Sequence, residues 1–222
     1  LAVLDPAAGA LGRARQAVAA VCQAVGPDVP VLTTIFSPLA QAKNLAGPNL
    51  LPHLRQHPDA VQAGLEIITQ STLRFIDSLA GAGIAGIFYA VQLAEPSRLS
   101  RAEYQQFGQP LDLRILYAAG GGWFNMLHGH GLNVYFDLLA SYPVQALNWH
   151  DREGGPSLAE GGARFSGALS GGLDRRTVHL AAPADVRREA ADALQQTAGQ
   201  RLILSTGCVS MTNSPLSNLW AA

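Results

Sequence analysis

The chain has 222 residues, of which 48% are apolar and 14% charged, with a formal net charge of -1. That is enough apolar material for one sizeable core and too much for a disordered chain. A near-neutral balance excludes a nucleic-acid binder, which needs a basic face to neutralise phosphates. Two cysteines, Cys22 and Cys208, make no disulfide framework, so a reducing cytoplasm is the expected setting. The longest apolar runs are too short to span a bilayer, so no membrane association is expected. No secretory leader is expected either. The chain opens on Leu1-Ala2-Val3-Leu4 rather than Met, so processing, truncation or a further front end is expected.

In chain order, Ala10–Val25 has a helical pattern that stops at Gly26-Pro27. Val29–Phe36 is the first strand candidate, and Ser37-Pro38-Leu39-Ala40 follows it as a loop. Leu50–Ala80 reads as two helices broken by Pro58, the second running Pro58–Leu79. Ile84–Val91 is the second strand, followed by Gln92 and Glu95. Ser100-Arg101-Ala102-Glu103 is a capping box opening a helix over Arg101–Gly108, and Pro110–Ala119 continues it. Trp123–His128, Val144–Trp149, Phe165–Leu169 and Arg201–Ser205 complete six strands. Before the last of them, Pro183 opens a helix over Ala184–Thr197 that closes at Gly199.

Short β-rich runs alternating with helices define an α/β fold with a parallel sheet. The choice lies between an open doubly wound sheet and a (β/α)8 TIM barrel. No Gly-x-Gly-x-x-Gly follows the first strand, which removes the usual signature of the open sheet. The expectation is therefore a single barrel domain over residues 1–222. Its six strands are two short of eight, so its first one or two β/α units would be missing. A barrel short of those units has a reason to pair as a homodimer.

In such folds the chemistry sits beyond the carboxyl ends of the strands. The third strand ends His128-Gly129-His130, and alternation along a strand points both imidazoles to one side. The last strand leads into Gly207-Cys208. Two His and one Cys make three zinc ligands with a fourth position open, the arrangement of catalytic zinc. The plainer alternative is a buried, inert cysteine beside an accidental His-x-His. Gln92, Asn148, His150 and Asp174 follow or end other strands and are candidates to bind substrate. Arg175-Arg176 reads as a solvated pair or a carboxylate holder, and His53 and His57 read as surface residues.

Several segments in this order resemble the uroporphyrinogen decarboxylase superfamily. They are Ile35-Phe36-Ser37-Pro38-Leu39, Pro58-Asp59-Ala60-Val61, Ala82-Gly83 leading into Gly86-Ile87-Phe88, and Glu103-Tyr104. Asn148-Trp149, Gly171-Gly172-Leu173-Asp174, and Gly207-Cys208 followed by Pro215 and Asn218-Leu219 continue the series. The resemblance implies a (β/α)8 barrel of which this chain is the C-terminal two-thirds.

It also implies one of two chemistries. Cofactor-free decarboxylation of a tetrapyrrole would call for a Tyr within Leu39–Leu45 and a His at position 208, and this chain has neither. Cobamide-dependent methyl transfer would call for a zinc held by a His-x-Cys pair and a distant Cys. Here His128 and Cys208 match, and His130 stands in the middle position. The resemblance thus favours a zinc methyltransferase moving a methyl group between a corrinoid and a thiol, with a corrinoid protein as partner. A metal-free tetrapyrrole lyase and a non-catalytic ligand-binding barrel are the alternatives.

Overall fold

The computed structural model describes all residues 1–222, which divide into two compact units, Leu1–Met126 and Leu127–Ala222. Strand order in the sheet is chain order, β1 to β6. A doubly wound sheet would reverse its order at a switch point, so this succession of strand and helix is that of a partial (β/α)8 barrel.

In the first unit, α1 (Gly9–Val25) precedes β1 (Leu32–Phe36), and α2 (Pro38–Ala46) follows at once. The loop expected at Ser37-Pro38 is in fact a helix start. The Ser37 hydroxyl accepts a hydrogen bond from Ala40 N at 3.3 Å, and Pro38 occupies the first helical position. α3 (Leu50–Gln56) and α4 (Pro58–Ser78) are separated at Pro58 as the sequence predicts. β2 (Gly86–Val91) then pairs parallel with β1, Leu32 opposite Gly86 and Phe36 opposite Ala90.

α5 (Arg101–Phe107) starts on the expected Ser100/Glu103 capping box, and α6 (Gln109–Ala118) follows it. α2, α3 and α6 pack on α4 around buried Leu39, Leu54, Leu65 and Ile115. Within this core Asp112 is buried between two tyrosines. The Tyr89 hydroxyl donates to its Oδ1 at 2.6 Å, and the Tyr104 hydroxyl donates to its Oδ2.

The second unit holds β3 (Met126–Gly129, whose first residue closes the preceding unit), α7 (Phe136–Leu139), β4 (Ala146–Trp149) and α8 (Leu158–Gly162). It continues with β5 (Ala168–Leu173), α9 (Arg175–Leu180), α10 (Pro183–Thr197), β6 (Leu202–Thr206) and α11 (Leu216–Leu219). β3 and β4 are buried along their whole length, as parallel strands covered on both faces must be. β4, β5 and β6 pair in parallel, with Asn148 opposite Ser170 and Leu173 opposite Thr206. α10 covers β5, and Leu173, Val178, Val186, Ala190 and Ala221 form a core with Leu204 packed against it.

The expected fifth strand, Phe165–Leu169, is displaced: the strand is Ala168–Leu173 and takes in Ser170-Gly171-Gly172, which lies beyond the expected strand end. The reason is a close approach. A Cβ on Gly171 would lie 2.5 Å from Asp151 Oδ1, so glycine here admits a buried carboxylate rather than ending the strand. No helix of the protein is long and apolar enough to cross a membrane.

Candidate metal centre

Each residue of the candidate centre lies at or just beyond the carboxyl end of a strand in the second unit. His128 is within β3, and His130 follows its last residue, Gly129. His150 is the first residue after β4, and Cys208 is the second after β6. Gly207 explains the last placement. A Cβ there would lie 2.5 Å from Trp149 O and 3.1 Å from His150 Cα, so only glycine lets this turn rest against the β4 end. The sulfur of Cys208 is thereby delivered beside the rings.

Cys208 Sγ is 3.9 Å from His128 Nε2 and 3.7 Å from His130 Nδ1. Ligand atoms of His128, His130, His150 and Cys208 all fall within 4.8 Å of one another. The three imidazoles cluster, with ring centroids 5.8 Å apart for His128 and His130, 5.9 Å for His128 and His150, and 5.2 Å for His130 and His150. His128, His150 and Cys208 are buried and His130 is half-buried.

A tetrahedral zinc with bonds of about 2.3 Å to sulfur and about 2.05 Å to nitrogen sets those two ligands about 3.6 Å apart. The two sulfur–nitrogen separations are close to that value, and nitrogen with thiolate is the donor chemistry zinc takes. The residues present fit the metal.

Their surroundings complete the geometry. His128 Nδ1 lies 2.6 Å from Asn148 Oδ1. Asn148 Nδ2 donates to Ser170 O at 2.8 Å and to Thr206 O at 3.2 Å. Burial pushes the His128 imidazole from its usual 6.5 down to about 4, against the Asn148 hydrogen bond and with help from the neighbouring His130 and His150. The ring is therefore neutral at pH 7, the form that ligates. His150 Nδ1 stands 3.4 Å from Glu153 Oε1.

Glu153 also pairs with Arg175 Nε at 3.0 Å and Arg176 Nη2 at 3.1 Å, so the arginine pair is committed to a carboxylate of this chain. Burial raises the Asp151 carboxyl from 3.8 to about 6, although Gly172 N donates to its Oδ2 at 3.0 Å.

Of the residues singled out in the sequence, His128, His130 and Cys208 converge, and a ring nitrogen of His150, expected as a substrate contact, lies in the same cluster. Asn148 turns its side chain to His128 and two backbone carbonyls. Asp174 is the N-cap of α9, its Oδ1 accepting from Arg176 N at 2.7 Å. Gln92 belongs to the first unit, where its Oε1 accepts from Lys43 Nζ at 3.4 Å. Sequence reasoning missed Glu153. Its signal was a carboxylate three residues after a strand-end histidine and ahead of the Arg175-Arg176 pair.

These features define a chain of the uroporphyrinogen decarboxylase (URO-D) family, and the family matches over residues 1–222, so the protein belongs to it. Among curated proteins it is similar to the methylcobamide:CoM methyltransferase MtaA of Methanosarcina barkeri, with 24% identity over 210 residues. That match covers 93% of this chain and 60% of MtaA. The same enzyme from Methanosarcina barkeri strain Fusaro is 25% identical over 213 residues, again 93% of this chain and 60% of the relative. The chain thus spans under two-thirds of these relatives' length. A solved methyltransferase from Methanosarcina mazei superposes with a TM-score of 0.86 at 22% identity, over 99% of this chain and 65% of that one, and has the same fold.

Proposed function

We propose that the protein is a zinc-dependent methyltransferase that moves a methyl group between a corrinoid and a thiol. The convergence of His128, His130, His150 and Cys208 carries this reading. His128 Nε2, His130 Nδ1 and Cys208 Sγ would hold the metal, leaving a fourth position, flanked by His150, for the substrate thiol. Zinc bound there supplies Lewis acidity that brings a substrate thiol to its thiolate near neutral pH.

The chain's own residues prepare the site. Burial keeps His128 neutral, and Gly207 presents the thiol. The buried strand ends limit water around the reacting sulfur. Such a transfer would form a sulfur–carbon bond at the substrate thiolate, with the corrinoid giving up the methyl group and keeping the bonding electron pair. The name of the relatives supplies the same pairing, a methylcobamide as donor and CoM as acceptor. A docked corrinoid protein would be the physiological partner.

The alternative is a metal-free tetrapyrrole lyase, in which His128 and His130 would be hydrogen-bond donors to substrate carboxylates or general acids; a buried, neutral His128 suits a metal ligand better than a general acid. Elemental analysis of the purified protein tests it: about one zinc per chain is expected, with methyl transfer from methylcobalamin to a small thiol. Cys208→Ser should lose both. Zinc-free protein that takes up no added Zn2+ or Co2+, or a Cys208→Ser variant with native transfer, overturns the assignment.

A further inference from the structure

Asn148 is 4% exposed, and its amide is aimed entirely at the protein. Its two N–H groups point to two backbone carbonyls, Ser170 O at 2.8 Å and Thr206 O at 3.2 Å, with Ser170 Oγ farther away at 3.5 Å. Carbonyl oxygens only accept, so the amide cannot be turned over without setting Oδ1 against two acceptors. Oδ1 must therefore face His128, 2.6 Å from Nδ1, and the ring must carry its hydrogen on Nδ1 to donate across that distance. The lone pair is then on Nε2, the atom 3.9 Å from the Cys208 sulfur.

The same amide also reaches the sulfur's own strand. Thr206 O, which accepts from Asn148, lies two residues before Cys208. The Thr206 hydroxyl donates to Cys208 O at 2.5 Å and meets Ser210 Oγ at 3.0 Å, pinning the turn that carries the thiol. Ser170, the other acceptor, is tied to β6 through Ser205, with hydroxyls 2.8 Å apart. One side chain on β4 thus braces a ligand on β3 and the strand end that presents a ligand beyond β6.

We propose that Asn148 is a positioning residue: through its hydrogen bond to His128 it fixes the ring as the Nδ1–H tautomer and directs Nε2 at the metal, while its amide group holds the strand end that carries Cys208. The proposal deepens the zinc reading and rests on it. It takes Asn148 away from the substrate, since neither end of the amide is turned outward. Hydrogen-bond partners of metal-bound imidazoles typically change metal affinity 10–100-fold when removed.

Two measurements test it. In the metal-free protein with ring-15N labelling, two-bond 1H–15N correlation at pH 7 should show His128 as the Nδ1–H tautomer. The Nε2–H tautomer overturns the proposal, whether or not zinc binds.

In chelator competition, Asn148→Ala should bind Zn2+ about 10–100-fold more weakly than native and shift the visible absorption of the Co2+ form. Asn148→Asp keeps an acceptor for Nδ1–H and should stay within about tenfold of native affinity, while melting at a lower temperature because Ser170 O and Thr206 O lose their donor. Native affinity and an unchanged Co2+ spectrum in Asn148→Ala overturn the proposal and leave the metal site standing. Failure of native protein to bind either ion, with the Nδ1–H tautomer observed, sinks the zinc reading instead. If Asn148→Ala does not fold, the tautomer measurement decides alone.

Discussion

Both units bury polar side chains, and they do so to opposite ends. In the first, the Asp112 carboxylate accepts from Tyr89 and Tyr104, so acceptor meets donor and the cluster is complete within the fold. In the second, three imidazoles and a thiol bring ligand atoms within 4.8 Å of one another. Groups of this kind share an affinity for a cation more than for each other. A buried polar residue is therefore a poor pointer to function by itself. What separates structure from site is whether its neighbours have the complementary character.

The comparison breaks first on metal affinity. Cys208→Ser exchanges a soft thiolate for a hydroxyl that zinc binds weakly, and a drop of roughly 100-fold or more is expected in chelator competition. Asp112→Ala should leave that affinity unchanged. Its effect falls on stability instead. Two buried tyrosine hydroxyls lose their acceptor, and urea unfolding should show a loss of about 2–4 kcal/mol. Zinc loss in Asp112→Ala, or a stability loss in Cys208→Ser chelated protein to match that of Asp112→Ala, would erase the distinction between the two clusters.

Acid sharpens it further. The folded state holds His128 at about 4 against the usual 6.5, so between those values the unfolded chain binds more protons. Stability from this group is lost as pH falls from about 6.5 towards about 4, with an upper size of about 3 kcal/mol. Asp151 works the other way: raised from 3.8 to about 6, it makes folding less favourable as pH rises through that window. In chelated protein the two slopes largely cancel. Replacing Asp151 with Asn should expose the His128 slope as a melting temperature that climbs with pH from 4 to 6.5, and a flat profile in that variant would show that His128 titrates near its ordinary value.

Much of this was legible in the sequence, for identifiable reasons. β2, β3 and β4 are buried along nearly their whole length, and burial on both faces concentrates apolar residues in short runs, while β1 and β6 are only partly buried and were marked by their β-branched and leucine content. Pro58 and the Ser100/Glu103 box marked helix ends because they act locally. β5 was misplaced because Gly171 serves a contact with Asp151, twenty residues away in the chain, and a long-range contact leaves no local pattern. Ser37-Pro38 was readable as a helix start, yet its strand-end position made a loop the easier reading. In the site, His128 and His130 were visible as a pair through alternation along β3. The Gly207-Cys208 dipeptide drew attention as a strand ending. That His150 would join them and that Asn148 would turn inward depend on side-chain directions at a strand end, which spacing alone does not determine.

The smallest expected effect lies back in the first unit. Glu103 is held at about 2, chiefly by the hydrogen bond from Arg55, with Nε 2.7 Å from Oε1, and next by the Ser100 backbone N–H of the capping box. The pair ties α3 to the start of α5, but Arg55 has a half-exposed side chain, so water screens most of the attraction. Its coupling in an Arg55→Ala/Glu103→Gln double-mutant cycle should be small at pH 7 and shrink further with added salt. Because the folded carboxyl is depressed, that coupling is fully present above about 4.5 and fades as pH falls towards about 2. The cycle should leave zinc affinity untouched, since the partners it removes complement each other as Asp112 and its tyrosines do. A coupling that survives at pH 2, or one that moves metal affinity, would mean that charge pairing in this unit does more than hold its helices in place.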